Sequence, residues 1–484
     1  MRSRPFRVVL RALAGPALLG FVLSTCATNP VTGKKELSFV SESQEISMGK
    51  EYATQVTQEM GAYPDSNIQR YVSGIGKEIA VRTERPKLPW TFTVIDDPQV
   101  NAFALPGGYI FITRGILTHM NSEAELATVL GHEIGHVTAR HSVQQMTRQQ
   151  LAQIGLVAGA IASSKVAENL GAISQGLGVL FLKYGRDDES QADGLGFRYA
   201  LSDGYDVRKM VNMFETLQRV SATAGQRIPE WQSTHPDPGN RIAATEARLK
   251  RNTIPLDDKK VNAAKFLQLV DGMVFGDNPR QGYFKGTTFL HPDLAFQLEF
   301  PAGWKTANQP SAVVGLSDKQ DAQVQLSLGG QQAPAEALKA FLGQQGVTAG
   351  QTSQMAINGN TAARGAFTAT NQDGSQLAGQ VAYLSYGGTT YQLLGITTAA
   401  NARSYGPAFD QFISSFRKLT DPAALNVKPN RIALTKVTQP TTLAEFNRKY
   451  PSVITIEQLA LINGLADGGA ELEPGDYVKR VVAQ

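Results

Sequence analysis

Residues 132–136 read His-Glu-Ile-Gly-His, and this pentad constrains the chain more than any other feature. At about 100° per residue, helical positions four apart differ by about 40°, so His132 and His136 project from one face and can share one divalent cation. Glu133 falls beside them, where it can take a proton from a water on that cation. With six histidines among 484 residues, such a pentad seldom arises by chance. The segment Asn121-Ser122-Glu123-Ala124-Glu125 predicts a helix capped at Asn121 or Ser122 and running through His141. Two core histidines on a helix are the alternative that needs no metal.

A catalytic zinc site takes a third protein ligand and keeps a position for water. The run Arg186-Asp187-Asp188-Glu189-Ser190-Gln191-Ala192-Asp193 supplies it at the start of a polar helix. Glu189 and Asp193 are four apart and share a face. Glu189 is the candidate metal ligand, and Asp193 the candidate acceptor for the free ring N–H of a ligand histidine. The same acidic run would suit a helix N-terminus with no metal nearby. Two imidazoles and one carboxylate suit zinc, so the expected cofactor is one Zn2+ per chain.

Arg2, Arg4, Arg7 and Arg11 precede an apolar stretch at 12–23, the pattern of a secretory signal and too short for a membrane span. Leu23-Ser24-Thr25-Cys26 resembles a bacterial lipobox that departs from the pattern at Thr25. Cys26 is the only cysteine of the chain, which excludes an intramolecular disulfide framework and makes it the candidate lipidation site. Ala27 in place of an acidic residue directs such a lipoprotein to the outer membrane, so the expected location is the periplasm with a lipid anchor. An ordinary cleavage site releasing a soluble periplasmic protein is the alternative. Without the four arginines, 42 basic residues balance 42 acidic ones, which argues against a nucleic-acid surface and against nucleic acid as a partner.

Between residues 40 and 85, Ile46, Tyr52, Val56 and Met60, then Ile68, Val72, Ile75 and Ile79, fall at helical spacing and predict two amphipathic helices. Residues 90–95 and 109–113 read as strands with Pro106-Gly107-Gly108 as the turn between them. The apolar stretch 151–182 reads as a buried helical hairpin, with a membrane-contacting or lid-like hairpin the alternative, and helices continue from 188 to 249. After residue 284, alternating segments such as 295–300 and 324–328, with turns at Asn358-Gly359 and Asp373-Gly374, indicate strands.

The chain from 29 to 250 resembles the zinc metallopeptidase family of the CAAX prenyl proteases, HtpX, the Oma-type proteases and the β-barrel assembly-enhancing protease. The likeness rests on Asn29-Pro30-Val31-Thr32-Gly33, on 101–108, on the HExxH helix, on 189–193 and on Ser233-Thr234-His235-Pro236. It implies metal ligands at His132, His136 and Glu189, with Glu133 as catalytic base, in the exported branch. It further implies that Asn101, Ala102, Phe103 and Ala104 form a strand that pairs with an extended substrate, and that His235 is a regulatory fourth ligand. His141 and His119 read as surface or packing residues. The helical repeats of the assembly-enhancing protease are missing after residue 250. Residues 286–420 resemble PsbP-type modules, and 428–484 resemble a LysM module through Leu459-Ala460-Leu461-Ile462-Asn463-Gly464-Leu465 and Pro474-Gly475-Asp476, which implies binding to peptidoglycan.

The expected architecture is α+β: a signal segment at 1–25, a mainly helical zincin-type domain with a small sheet at 26–250, a linker at 251–285, an α+β domain at 286–420 and a small βααβ unit at 428–484. The expected function is a periplasmic zinc endopeptidase cleaving unfolded or misassembled envelope proteins in protein quality control. A non-proteolytic chaperone or a peptidoglycan-associated scaffold is the alternative, and a peptidoglycan hydrolase a remoter one.

Overall fold

In the computed structural model of the chain, residues 26–149, 151, 184–223, 235, 238–309, 311–370 and 374–483 are described. The signal segment, nearly all of the apolar stretch 151–182, Asp373, and the neighbours Ser233, Thr234 and Pro236 of His235 lie outside them.

Strand β1 (Cys26–Thr28) pairs antiparallel with β2 (Lys35–Leu37), setting Cys26 opposite Leu37. In the loop between them Asn29 Oδ1 accepts from the Val31 and Thr32 N–H groups, while its Nδ2 donates to Glu36 and to the Ala139 carbonyl. The loop is thereby tied to the end of the helix that carries the pentad. Helices α1 (Glu42–Met60) and α2 (Ser66–Ala80) follow, started by a Ser41–Gln44 capping box and by the Asp65 carboxylate.

Strands β3 (Thr91–Ile95), β4 (Ala102–Leu105) and β5 (Tyr109–Thr113) form a sheet in the order β3-β5-β4. Pro106-Gly107-Gly108 turns β4 into β5, whereas β3 lies parallel to β5. This corrects the expected hairpin of 90–95 with 109–113, because a tight turn joins only antiparallel neighbours. Both turn glycines need positive φ, 79° and 101°.

After α3 (Arg114–His119), helix α4 (Glu123–Thr138) is capped by Ser122, whose side chain accepts from the Glu125 N–H. It does not run through His141 as the sequence predicts. Arg140 takes the left-handed conformation at φ 60°, which stops a helix, and residues 141–149 form a new helical stretch. Long-range bonds hold that turn: Arg140 donates to Glu45 at 3.0 Å and to the Val40 carbonyl at 2.8 Å.

Helices α5 (Arg186–Ser202), α6 (Lys209–Thr223), α7 (Pro238–Arg251) and α8 (Ala263–Val270) complete this part. Its core joins Val72 of α2, Val94 and Ile110 of the sheet, Leu130 and Ile134 of α4, Leu195 of α5 and Met213 of α6. Phe266 and Val270 of α8 and Met273 beyond it are buried in the same core, so the middle of the stretch 251–285, expected as a linker, packs against the first part.

The next part is a sheet-rich α+β unit. Strands β6 (Tyr283–Lys285), β7 (Thr288–His291), β8 (Phe296–Glu299), β9 (Lys305–Asn308), β10 (Ala312–Leu316) and β11 (Ala322–Gly330) precede helix α9 (Pro334–Leu342). Strands β12 (Val347–Ile357), β13 (Asn360–Thr370), β14 (Gln376–Tyr386) and β15 (Thr389–Thr398), helix α10 (Ala402–Ser414) and strand β16 (Arg417–Lys418) follow. The seven-stranded sheet runs β12-β13-β14-β15-β11-β10-β9, and a smaller one runs β16-β8-β7-β6. Phe409 and Phe412 of α10 cover Val324 and Leu393 in its core.

The last unit contains β17 (Asn430–Lys436), β18 (Thr441–Thr442), α11 (Leu443–Lys449), α12 (Ile456–Ile462), β19 (Glu471–Leu472) and β20 (Tyr477–Ala483), with β17 antiparallel to β20. It is docked on the first part. The buried Lys479 ammonium donates to the Thr118 and Met120 carbonyls at 2.8 and 2.6 Å, at the end of α3. Arg219 of α6 donates to the Leu465 carbonyl at 2.6 Å, and Ile432 exchanges backbone hydrogen bonds with Gly272 and Met273. Among the described residues no helix is long and apolar enough to cross a membrane.

Burial pushes the His119 and His291 imidazoles down to about 4. Each titrates near 6.5 in an unfolded chain, so between pH 6.5 and 4 the unfolded state binds more protons and stability falls as pH drops. Melting temperature should decline across that window, and His119→Gln combined with His291→Gln should flatten the decline. An unaltered slope in the double variant would contradict this.

Candidate metal centre

Helices α4 and α5 meet through glycine. A Cβ on Gly131 would lie 3.0 Å from the Gly196 oxygen, one on Gly196 would lie 2.8 Å from the His132 nitrogen, and one on Gly135 would lie 3.1 Å from Leu195 Cβ. With no side chains at the crossing, the two backbones come close. The first turns of α5 are thereby drawn alongside His132 and His136.

The polar atoms converge. His132 Nε2 lies 3.0 Å from His136 Nε2 and 3.6 Å from Glu189, and His136 Nε2 lies 3.5 Å from Glu189 Oε1. His235 brings Nδ1 to 2.8 Å from Glu189 Oε1 and 3.4 Å from His132 Nε2. One donor atom from each of these four buried residues lies within 4.8 Å of every other. Lone pairs gathered this closely in the interior call for a cation or protons among them.

Glu133 stands beside the cluster, its Oε1 3.7 Å from His235 Nε2. Its Oε2 is buried with no hydrogen-bond partner among the described residues, an orphan that a water or substrate proton would satisfy. Burial pushes the Glu133 carboxyl up, with the His235 and His132 charges opposing. At Glu189 burial acts in the same direction, but the His235 and Arg241 charges outweigh it and hold the carboxyl well below the usual range. Asp193 is likewise held down to about 2, burial being overcome by Arg241 and His132.

Asp193 Oδ1 lies 2.9 Å from His132 Nδ1. Arg241 of α7 grips the same carboxylate through Nη2 at 2.6 Å and Nε at 2.9 Å, approaches Glu189 at 3.1 Å, and rests its guanidinium over the Phe214 ring. The six residues His132, Glu133, His136, Glu189, Asp193 and His235 thus sit together. Asn101 and Ala102 line the adjoining cleft, whose apolar side is built from Ile116, Val129, Met210, Met213, Phe214 and Leu217. Phe103 and Ala104, expected as part of a substrate strand, lie in β4 with their side chains packed into hydrophobic clusters. Cys26 lies in β1, on the N-terminal loop.

Arg241 is the partner that sequence reasoning left without a role at the site. No local signal exposes it, since it lies on a helix separate from both halves of the cluster. The glycine crossing did carry a signal, Gly131 and Gly135 being four apart and Ala192 and Gly196 four apart, a spacing that leaves one helix face bare.

Residues 66–249 match the family model of peptidase family M48. The mitochondrial metalloendopeptidase OMA1 of Schizosaccharomyces pombe is 30% identical over 234 residues, which cover 46% of this chain and 68% of that protein. This chain belongs to peptidase family M48. The beta-barrel assembly-enhancing protease of Escherichia coli is 29% identical over 237 residues, covering 46% of this chain and 47% of that protein. A putative beta-barrel assembly-enhancing protease of Vibrio cholerae is 29% identical over 260 residues, covering 52% and 54%. The chain therefore spans about half the length of these last two relatives. The solution structure of cyanobacterial PsbP from Synechocystis covers 28% of this chain and 95% of that one at 11% identity, with a TM-score of 0.23, too low to argue from. M48 peptidases are metal-dependent, and the donor set of three imidazoles and one ionised carboxylate, with an orphaned Glu133 oxygen beside it, fits that requirement.

Gly196→Val in this M48 domain should force α5 away from α4, lower stability by about 1–3 kcal/mol as overpacking does, and abolish stoichiometric metal binding. Calorimetry with metal analysis checks both. Full metal occupancy in the variant would contradict the crossing's role.

Proposed function

We propose that the chain is a periplasmic zinc endopeptidase that hydrolyses peptide bonds of unfolded or misassembled envelope proteins, in protein quality control. The observation that carries this reading is the convergence of His132 Nε2, His136 Nε2 and the Glu189 carboxylate beside the buried Glu133 oxygen, which has no partner among the described residues. A zinc ion held by those three residues would supply Lewis-acid polarisation of the scissile carbonyl and of the attacking water.

The chain's own groups do the rest. Glu133 Oε2 takes the water's proton and passes it to the leaving amine, a transfer helped by the burial that raises its proton affinity. Asp193 accepts from His132 Nδ1 and fixes that ring, while Arg241 keeps both Asp193 and Glu189 ionised. Asn101 Oδ1, buried and without a hydrogen-bond partner among the described residues, accepts from a substrate backbone N–H at the mouth of the cleft. Among the described strands β4 pairs with β5 alone, which supports strand addition by the substrate. His235 stands between Glu133 and Glu189, a position that supports its role as a regulatory ligand that must swing away before substrate enters.

The names of the bacterial relatives support an envelope role. Lipidation of Cys26 would hold the enzyme to the outer membrane. The division into peptidase, α+β and C-terminal parts belongs to the same proposal. The LysM-like last unit uses Lys479 and the Leu465 carbonyl to grip α3 and α6, both walls of the cleft, which favours bracing over glycan capture.

Cleavage of an unfolded protein by the full chain tests the reading. Glu133→Gln should lower turnover on the order of 10²- to 10⁴-fold with zinc retained, and His235→Ala should raise it above the parent. Zinc-loaded parent and His235→Ala proteins that both leave unfolded substrates intact would overturn the peptidase.

A further inference from the structure

We infer that His141 and Gln191 form a relay that fixes the tautomer and orientation of His136, making His141 a positioning residue of the metal site. The inference rests on the reading that His136 binds the metal through Nε2.

The two nitrogens of His136 face opposite ways. Nε2 points into the donor set, 3.0 Å from His132 Nε2 and 3.5 Å from Glu189, while Nδ1 lies 2.9 Å from His141 Nδ1. Contact between two ring nitrogens needs one proton between them. With the Nε2 lone pair turned to a cation, the His136 proton sits on Nδ1 and is donated to His141. His141 then carries its own proton on Nε2, which lies 2.8 Å from Gln191 Oε1, an oxygen that can only accept. The chain has one direction, from His136 through His141 to Gln191. Tyr184 adds a wall: its ring stacks on His136 with centroids 3.9 Å apart, and its hydroxyl bonds Ser142 Oγ at 2.8 Å.

The left-handed turn at Arg140 makes the contact. Had α4 continued, His141 would sit about 140° round the helix from His136 and face away from it. Because the chain breaks at φ 60°, His141 folds back beneath its neighbour. Gln191 lies two residues beyond Glu189 on α5, so the glycine crossing that delivers the ligand delivers the end of the relay as well.

The two ligand histidines are thus supported differently. His132 leans on a carboxylate gripped by Arg241, and His136 leans on the His141 ring, whose Nε2 meets the Gln191 amide at 2.8 Å with the Asp188 carboxylate 4.0 Å away.

Zinc affinity, read by chelator competition on the full chain, tests this without relying on proteolysis. His141→Leu should weaken zinc binding by about 10- to 100-fold, Gln191→Leu by less, and His141→Gln, which restores an acceptor, should recover part of the loss. Melting of the zinc-free proteins should stay at the parent's value. Parent-like affinity in His141→Leu would overturn the relay, as would a loss of affinity that His141→Gln does not relieve and that comes with a lower zinc-free melting temperature. A parent chain that binds no zinc would overturn the metal reading and the relay with it, whereas zinc binding without proteolysis would fault the peptidase alone.

Discussion

The close crossing of α4 and α5 is the contact on which the rest of the structure depends. Gly131, Gly135 and Gly196 let two helix backbones approach until a single methyl group would collide. Glycine inside a helix costs roughly 0.5–1 kcal/mol relative to alanine, and the packing of Leu130, Ile134, Ala192 and Leu195 around the crossing offsets it. In return, one face of α5 presents Glu189 and Asp193 to the two histidines of α4, while Gln191 reaches His141. The proposed ligand, the proposed relay acceptor and the carboxylate beside His132 thus arrive together on one rigid element.

Charge balance is the second constraint. Glu133, Glu189 and Asp193 are all buried, and carboxylates taken from water are tolerated only when paired. Arg241 meets two of them and holds them ionised. Glu133 is left with burial dominating, so the one carboxyl pushed up is the one placed to carry a proton. The same helices that form the core also separate an anionic, ligand-ready side of the site from a basic, proton-accepting one. The cleft walls α3 and α6 are in turn held from outside by the C-terminal unit through Lys479 and the Leu465 carbonyl.

Features with a short sequence period were legible, and features made by distant contacts were not. The HExxH pentad, the acidic start of α5 and the amphipathic pattern of α1 and α2 are local, and the α+β character follows from the change of texture after residue 250. The end of α4 was missed because the Arg140 turn is held by Glu45, which lies 95 residues earlier. With that turn unseen, His141 reads as a packing residue. The strand placed across the Pro-Gly-Gly turn from β5 was 90–95 rather than β4, because the turn does not say which strand precedes it. Phe266 and Val270 reside in a stretch whose composition resembles a connector, and Lys479 sits in a strand where a lysine ordinarily marks solvent, yet each is buried against the peptidase core.

X-ray absorption at the zinc edge on the full chain probes the donor set most directly. The convergence of His132, His136 and Glu189 predicts one zinc per chain in a shell of nitrogen and oxygen at about 2.0–2.1 Å, with the imidazole scattering reduced in His136→Ala. Zinc bound through sulfur, or a spectrum unchanged by that substitution, would place the metal elsewhere and contradict the account.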